Sequence, residues 1–431
     1  MHKNRTSLMR IYAKYVSLNV IGMIGLSCYI LADTYFIAQA IGANGLTALN
    51  LALPIYFVIH GIGLMIGMGG ATRYALNGSK KVFTNSIYYA SFVAFIFFII
   101  ALFYSDALAT LLGADAYVFE NTKLYLRTIL YFSPLFMLNN IIICFVRNDG
   151  NPNLSMLAMF IGSLSNILLD YILMYPLDMG MLGAALATGI SPIISLSILS
   201  LHFISHKNTF SFIKTKPSYH YIKDISFLGS SALINELSSG VVIVVYNFLI
   251  LGLQGNIGIA AYGIIANISL VILSVFTGIA QGIQPIISQS YRTGNFSNMV
   301  IIRKYAFFTS VLFSVMAYLF SILNAEQLIT FFNKNDDLQL AQIAINGMSI
   351  YFSSFIFAGI NIISAAYFSA TDTAKNAFLV SMLRGIVLII PFAFLFSWIF
   401  KLNGVWLSVV INEFAVTIVC LYLLYKQKAK Y

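Results

Sequence analysis

Four carboxylates stand within long apolar runs of this chain: Asp33, Asp170, Glu236 and Glu413. Its other acidic residues fall in polar connections or toward the ends of runs. A carboxylate inside a membrane span is costly and marks a functional site by default. Asn166 lies four residues before Asp170, and on a helix residues at i and i+4 project from one face. Thr188 and Tyr125, in neighbouring apolar runs, add a hydroxyl and a phenol. Carboxylate, amide, hydroxyl and phenol all offer oxygen, the donor that hard cations prefer. Two carboxylates held close in a poorly solvated place are equally suited to carrying a proton. The chemistry on offer is reversible binding of Na⁺ or H⁺.

The competing use of each polar group is to tie helices together by hydrogen bonds, and for Asn166 or Thr188 alone that suffices. It accounts less well for Asp33 and Asp170 together. Glu236 lies deep in its run and suits a cationic substrate, a proton or an ion pair. Glu413 can be neutralised by Arg384, although spacing alone does not show that they meet. His60, near the middle of the second run, reads first as a packed, hydrogen-bonded residue.

These residues matter only if the runs that hold them cross a membrane. The 431-residue chain is 60% hydrophobic and 9% charged, whereas a soluble domain carries about 25% charged residues. Such a chain cannot cover a water-facing surface. Twelve apolar runs can be read, near 12–40, 45–72, 85–112, 122–146, 154–176, 180–204, 225–253, 257–290, 302–324, 338–368, 376–400 and 403–425. A bilayer core of about 30 Å needs about 20 such residues per helix. Pro54, Pro134, Pro192, Pro285 and Pro391 fall inside the runs and are expected to bend or break helices. At 1.5 Å of rise per residue, Asp33, Asp170 and Thr188 each sit roughly 10 Å below the same membrane boundary.

Charge orients the runs. Lys123, Arg127, Lys334 and Lys401 fall on one side and Arg384 within the eleventh run; the remaining Lys and Arg all fall on the N-terminal side. That bias predicts cytoplasmic termini and also explains the net charge of +10 without nucleic acid. The longest polar interruption, 206–224, reads as a cytoplasmic linker between a six-helix lobe 1–205 and a six-helix lobe 225–431. Weak similarity between 43–81 and 256–295 suggests that the lobes are repeats of equal orientation. In that register, Val387 and Pro391 stand where the first half has Asn166 and Asp170.

Cys28, Cys144 and Cys420 all lie in apolar runs, so neither a disulfide framework nor a metal motif is visible. The first run is too long for a signal-peptide core. No nucleophile motif, His-rich cluster or phosphate loop of the form G-x-x-x-x-G-K-[ST] is present, so transport would have to be driven by an ion gradient. Neither enzymatic activity nor a cofactor is expected.

The residues Leu31-Ala32-Asp33-Thr34-Tyr35-Phe36 and Ala48-Leu49-Asn50-Leu51-Ala52-Leu53-Pro54 carry a resemblance. So do Gly150-Asn151-Pro152, Asn166-Ile167-Leu168-Leu169-Asp170 and Gly183-Ala184-Ala185-Leu186-Ala187-Thr188. With these the chain resembles the multidrug and toxic compound extrusion (MATE) family of the MOP exporter superfamily. The resemblance implies an all-α integral membrane fold: two pseudo-symmetric six-helix bundles forming a V around a central cavity. It implies a first-lobe cation site at Asp33, Asn166, Asp170 and Thr188, with Tyr125 fitting a nearby tyrosine. It also matches Glu236 to a helix 7 glutamate that some members pair with a helix 10 carboxylate. Here that neighbourhood reads Gly359-Ile360-Asn361, which favours coupling through the first lobe alone.

The expected function is secondary antiport: export of organic cations or lipophilic drugs in exchange for Na⁺ or H⁺ by alternating access. Glu236, Asn361 and Glu413 are candidates for the substrate cavity. The partners would be a small cationic, lipophilic molecule and membrane lipid, with no nucleic acid. The protein would be a multi-pass monomer of the plasma (inner) membrane. The rivals are a flippase for lipid-linked oligosaccharides, which would need more cationic groups within its spans, and an integral-membrane enzyme, which would need a catalytic cluster.

Overall fold

The computed structural model describes residues 2–332 and 337–428, so Lys334 lies outside the described residues. Among the described residues there is no strand. In hydrocarbon every backbone polar group must be satisfied within its own segment, and helices do this for so apolar a chain.

Six of the spans need no qualification. They are α1 (Ser7–Ala40), α2 (Asn44–Asn77), α3 (Lys81–Phe103), α5 (Pro152–Met174), α6 (Gly180–Ile204) and α9 (Phe296–Leu323). The fourth span, α4, is broken by 48° between Phe119–Tyr131 and Ser133–Asn148. The break falls just before Pro134, which has no N–H to continue the ladder and sits at the start of the second half. By contrast, α2 and α6 run on through Pro54 and Pro192.

Two further continuous helices are each a pair of spans. Gly255, at φ 63 and ψ −155, separates α7 (Tyr219–Gly255) from α8 (Ile257–Arg292). After α10 (Leu338–Ala370), the helical stretch Ala374–Gln427 has 54 residues. At 1.5 Å per residue a straight helix of that length would reach about 80 Å, far beyond one bilayer. It breaks at Lys401, at φ 53 and ψ −130, into α11 (374–400) and α12 (402–427). Among the described residues twelve spans result, as the apolar runs predict. Within α11 a π-turn, Leu383–Val387, precedes Pro391. The Pro391 ring would collide with the carbonyl of residue 387, and widening the turn by one residue moves that carbonyl aside. The run 85–112 is shorter than expected: the helix stops at Tyr104, at φ −126 and ψ 10, and a separate short helix, Ser105–Leu111, follows.

The chain divides into two compact units, residues 17–237 and residues 1–16 together with 238–431. Within the first unit the polar stretch after α6 is docked along its length. Phe210 is fully buried among Tyr74, Phe83, Phe145 and Phe203. Asp149 accepts from the Thr209 amide at 2.7 Å and from the Thr209 hydroxyl, and pairs with His202 at 2.9 Å. Further along, Ile213 N–H donates to Thr84 and Ser218 N–H donates to Asn85.

Candidate functional site

Close packing of small residues brings α5 and α6 together. A β-carbon at Gly183 would lie 3.0 Å from the Leu173 backbone, so a larger residue would press the helices apart by a few tenths of an ångström; small residues at such contacts are common between membrane helices. One turn and a half further along α6, Thr188 comes to face Asn166. With its NH₂ toward the carboxylate, the Asn166 amide donates to Asp170 Oδ2 at 3.2 Å and accepts from the Thr188 backbone N–H at 3.1 Å. Turned over, it donates to the Thr188 hydroxyl at 3.3 Å instead. The first orientation satisfies both ends of the amide.

Asp33 reaches this pair from α1, close enough to Asp170 for the two carboxylates to interact electrostatically. Tyr125, from the first half of α4, faces Thr188 and lies in the field of both carboxylates. Asp33, Asp170 and Thr188, which the sequence puts at equal depth, are thus gathered with Tyr125 and Asn166 in one place. All five are buried, Asn166 and Asp170 completely.

The electrostatics are incomplete in a specific way. Asp33 Oδ1 and Asp170 Oδ1 are buried oxygens without a hydrogen-bond partner. No Lys, Arg or His pairs with either carboxylate among the described ion pairs. Buried charge is tolerated only when compensated. The donor set, two carboxylates, a phenol, a hydroxyl and an amide, fits a hard monovalent cation, and the orphaned oxygens equally fit a proton.

Two members of the network carry no signal in the sequence. Tyr29, one turn before Asp33 on α1, shares a 2.7 Å hydrogen bond with Tyr56 of α2. Tyr56 stacks on His60, with ring centroids 5.7 Å apart and planes 13° from parallel. His60 Nδ1 in turn lies 3.4 Å from Glu236 Oε2 of α7. Glu236 is therefore a neighbour of the carboxylate cluster through three aromatic side chains, although nothing in the spacing of the sequence joins them. Among 26 tyrosines, only their i−4 relation to Asp33 and His60 could have singled out Tyr29 and Tyr56.

Asn361 and Glu413, the other expected cavity residues, form a separate cluster in the second unit. Arg384 Nε donates to Glu413 Oε1 at 2.7 Å, and Asn361 donates to Glu413 Oε2 at 2.7 Å. Thr417 closes the set by donating to Asn361 at 3.0 Å. Arg384 is carried by the π-turn, and Asn412 holds its carbonyl at 2.8 Å. Both Glu413 oxygens are thus engaged within the protein.

This fold and these motifs have known relatives. The MatE family pattern matches residues 20–172 and 232–395. The chain is 28% identical over 394 residues to the multidrug export protein MepA of Staphylococcus saprophyticus, covering 89% of this chain and 86% of that protein. It is likewise 28% identical over 395 residues to MepA of Staphylococcus aureus strain MRSA252, with the same coverage. Its fold is similar to the crystal structure of a MATE in complex with MaL6, with a TM-score of 0.92 at 23% identity over 98% of this chain and 97% of that one. A multidrug resistance MATE family transporter in an outward-facing conformation gives a TM-score of 0.91 at 23% identity, covering 98% and 96%.

Proposed function

The chain belongs to the MatE family of MOP-superfamily transporters, and from that premise we propose that it is an antiporter. It exports organic cations or other lipophilic compounds from the cytoplasm in exchange for Na⁺ or H⁺. The observation that carries this reading is the pair of uncompensated buried carboxylates, Asp33 and Asp170, each with an unpartnered oxygen. A cation or proton loading there replaces the missing compensation. It shifts the conformational equilibrium by as much as its affinity differs between the two states.

In this mechanism Asp170 and Asp33 supply the negative charge, Asn166 orients the Asp170 carboxylate, and Thr188 and Tyr125 offer neutral oxygens. The lobes on either side of 206–224 alternate access, in a plasma membrane with both termini cytoplasmic. A flippase for lipid-linked oligosaccharides would need free cationic groups within the spans. Arg384, the candidate for that role, is committed to Glu413.

Reconstituted vesicles test the reading. Efflux of a fluorescent organic cation should follow an imposed Na⁺ or pH gradient and report which ion couples. Asp170→Asn should abolish that dependence while the purified protein remains monodisperse. Undiminished gradient-driven export by Asp170→Asn would sink the proposal.

A further inference from the structure

His60 and Glu236 differ from every other acid–base pair of the first unit in where they stand. Each is near the midpoint of its span, α2 and α7 respectively. Yet Glu236 keeps 28% of its side chain exposed and His60 13%. Hydrocarbon against a carboxylate at that depth would be strongly disfavoured. This face of the unit therefore meets water.

Backbone packing sets the pair. A side chain at Gly69 would collide with the Ile225 carbonyl, and one at Gly229 with the Met65 carbonyl, so α2 and α7 touch backbone to backbone there. Two turns along, the β-carbon of Glu236 lies 3.1 Å from where Gly61 would carry its own. That contact delivers Glu236 to His60. The two remain loosely joined: Nδ1 and Oε2 are 3.4 Å apart, and Nδ1 makes no hydrogen bond. The groups facing the imidazole are Tyr56 from its own helix and Glu236 from α7. Behind Tyr56 stand Tyr29 and, through its field, Asp33, both from α1.

We propose that His60 sets the charge with which Glu236 meets an organic cation, making the pair a proton-switched anchor for a lipophilic monocation. With imidazole neutral, the partly exposed Glu236 carboxylate is an anion without an internal counter-charge, ready to pair with a delocalised cation. A proton on imidazole turns the pair into an internal ion pair, and the bound cation loses its counter-charge. Histidine is the side chain whose charge ordinarily changes between pH 5 and 8, the range over which the switch is tested. The proposal deepens the export reading and rests on it for the substrate class.

Binding of tetraphenylphosphonium to the purified full-length protein tests the switch apart from ion coupling. Wild-type affinity should rise about tenfold from pH 5.5 to pH 8, equivalent to about 1.4 kcal/mol. His60→Gln should flatten that profile to less than about twofold, with His60→Asn as a second variant if the first is not monodisperse. His60→Lys, permanently charged, should bind weakly at every pH, an outcome that a packing role for His60 would not produce. Glu236→Gln should bind weakly throughout. A His60→Gln profile like that of wild type would place the pH dependence elsewhere and overturn the proposal. Failure of the wild-type protein to bind tetraphenylphosphonium at any pH would also overturn it. The Asp170→Asn vesicle assay judges the export reading separately, because it reads gradient dependence rather than binding.

Discussion

The two polar clusters buried in this chain are built on opposite plans. In the unit 17–237, Asp33 and Asp170 come together with amide, hydroxyl and phenol but no cation, and each leaves an oxygen unpartnered. In the other unit, Glu413 has Arg384 on one oxygen and Asn361 on the other. The first arrangement is complete only with something from outside; the second is complete already. A ligand shifts a conformational equilibrium only through a difference in affinity between states. A carboxylate neutralised by its own protein has little such affinity left for Na⁺ or H⁺. The asymmetry that the sequence suggests, with Val387 and Pro391 opposite Asn166 and Asp170, thus has a physical form.

The sharpest break would come from the uncompensated side. Replacing both Asp33 and Asp170 by Asn should reduce gradient-driven efflux to that of empty vesicles. The same double variant should melt no lower than wild type, because removing two uncompensated buried charges relieves desolvation and mutual repulsion. A large fall in melting temperature would instead mean that the carboxylates are structural.

On the compensated side, Arg384→Met should strand a buried carboxylate and lower stability by about 3–5 kcal/mol. Adding Glu413→Gln to that variant should recover most of the loss, since the uncompensated charge goes with it. Denaturant titration of the purified variants in detergent measures both. Arg384→Met at wild-type stability but without ion coupling would place Glu413 in the coupling machinery and dissolve the distinction between the clusters.

Much of this contrast is legible in the chain itself. Residues counted along an apolar helix keep their depth, so Asp33, Asp170 and Thr188 can be matched from their positions in the chain alone. Proline and charge likewise foretell the break in α4 and the turn at Lys401. Two things escape such counting. One is azimuth: that Arg384 meets Glu413 depends on a π-turn, and no spacing in the sequence says that a turn will widen. The other is the use of common residues, since Tyr29 and Tyr56 are chemically eloquent only beside Asp33 and His60. The stretch 206–224 escapes for a related reason. Its polar composition conceals Phe210, whose burial among four aromatic rings fastens the linker to the first unit.

A smaller change should grade the uncompensated site rather than abolish it. Thr188→Val keeps the shape and removes one oxygen from the cluster. Its cost should be about 1–2 kcal/mol of ion affinity, a fivefold to thirtyfold rise in the ion concentration for half-maximal efflux. The maximal rate should change less, because both carboxylates remain. A Thr188→Val protein with an unshifted ion dependence would remove the hydroxyl from the site.

The finest test compares two hydrogen bonds of one length. Tyr29 and Tyr56 share a hydroxyl contact of 2.7 Å beside the carboxylate cluster. Tyr246 and Ser408 share one of 2.7 Å in the other unit. Tyr56→Phe and Tyr246→Phe each remove one such bond, and each should lower stability by about 1 kcal/mol. If the clusters differ only in compensation, the transport consequences should also match and be small. If the Tyr29–Tyr56 contact links Asp33 to His60 and Glu236, Tyr56→Phe should weaken the ion dependence of efflux by a few-fold while Tyr246→Phe leaves it intact. Equal stability loss is what gives the comparison its force, because the difference in transport then belongs to the position of the bond and not to its strength.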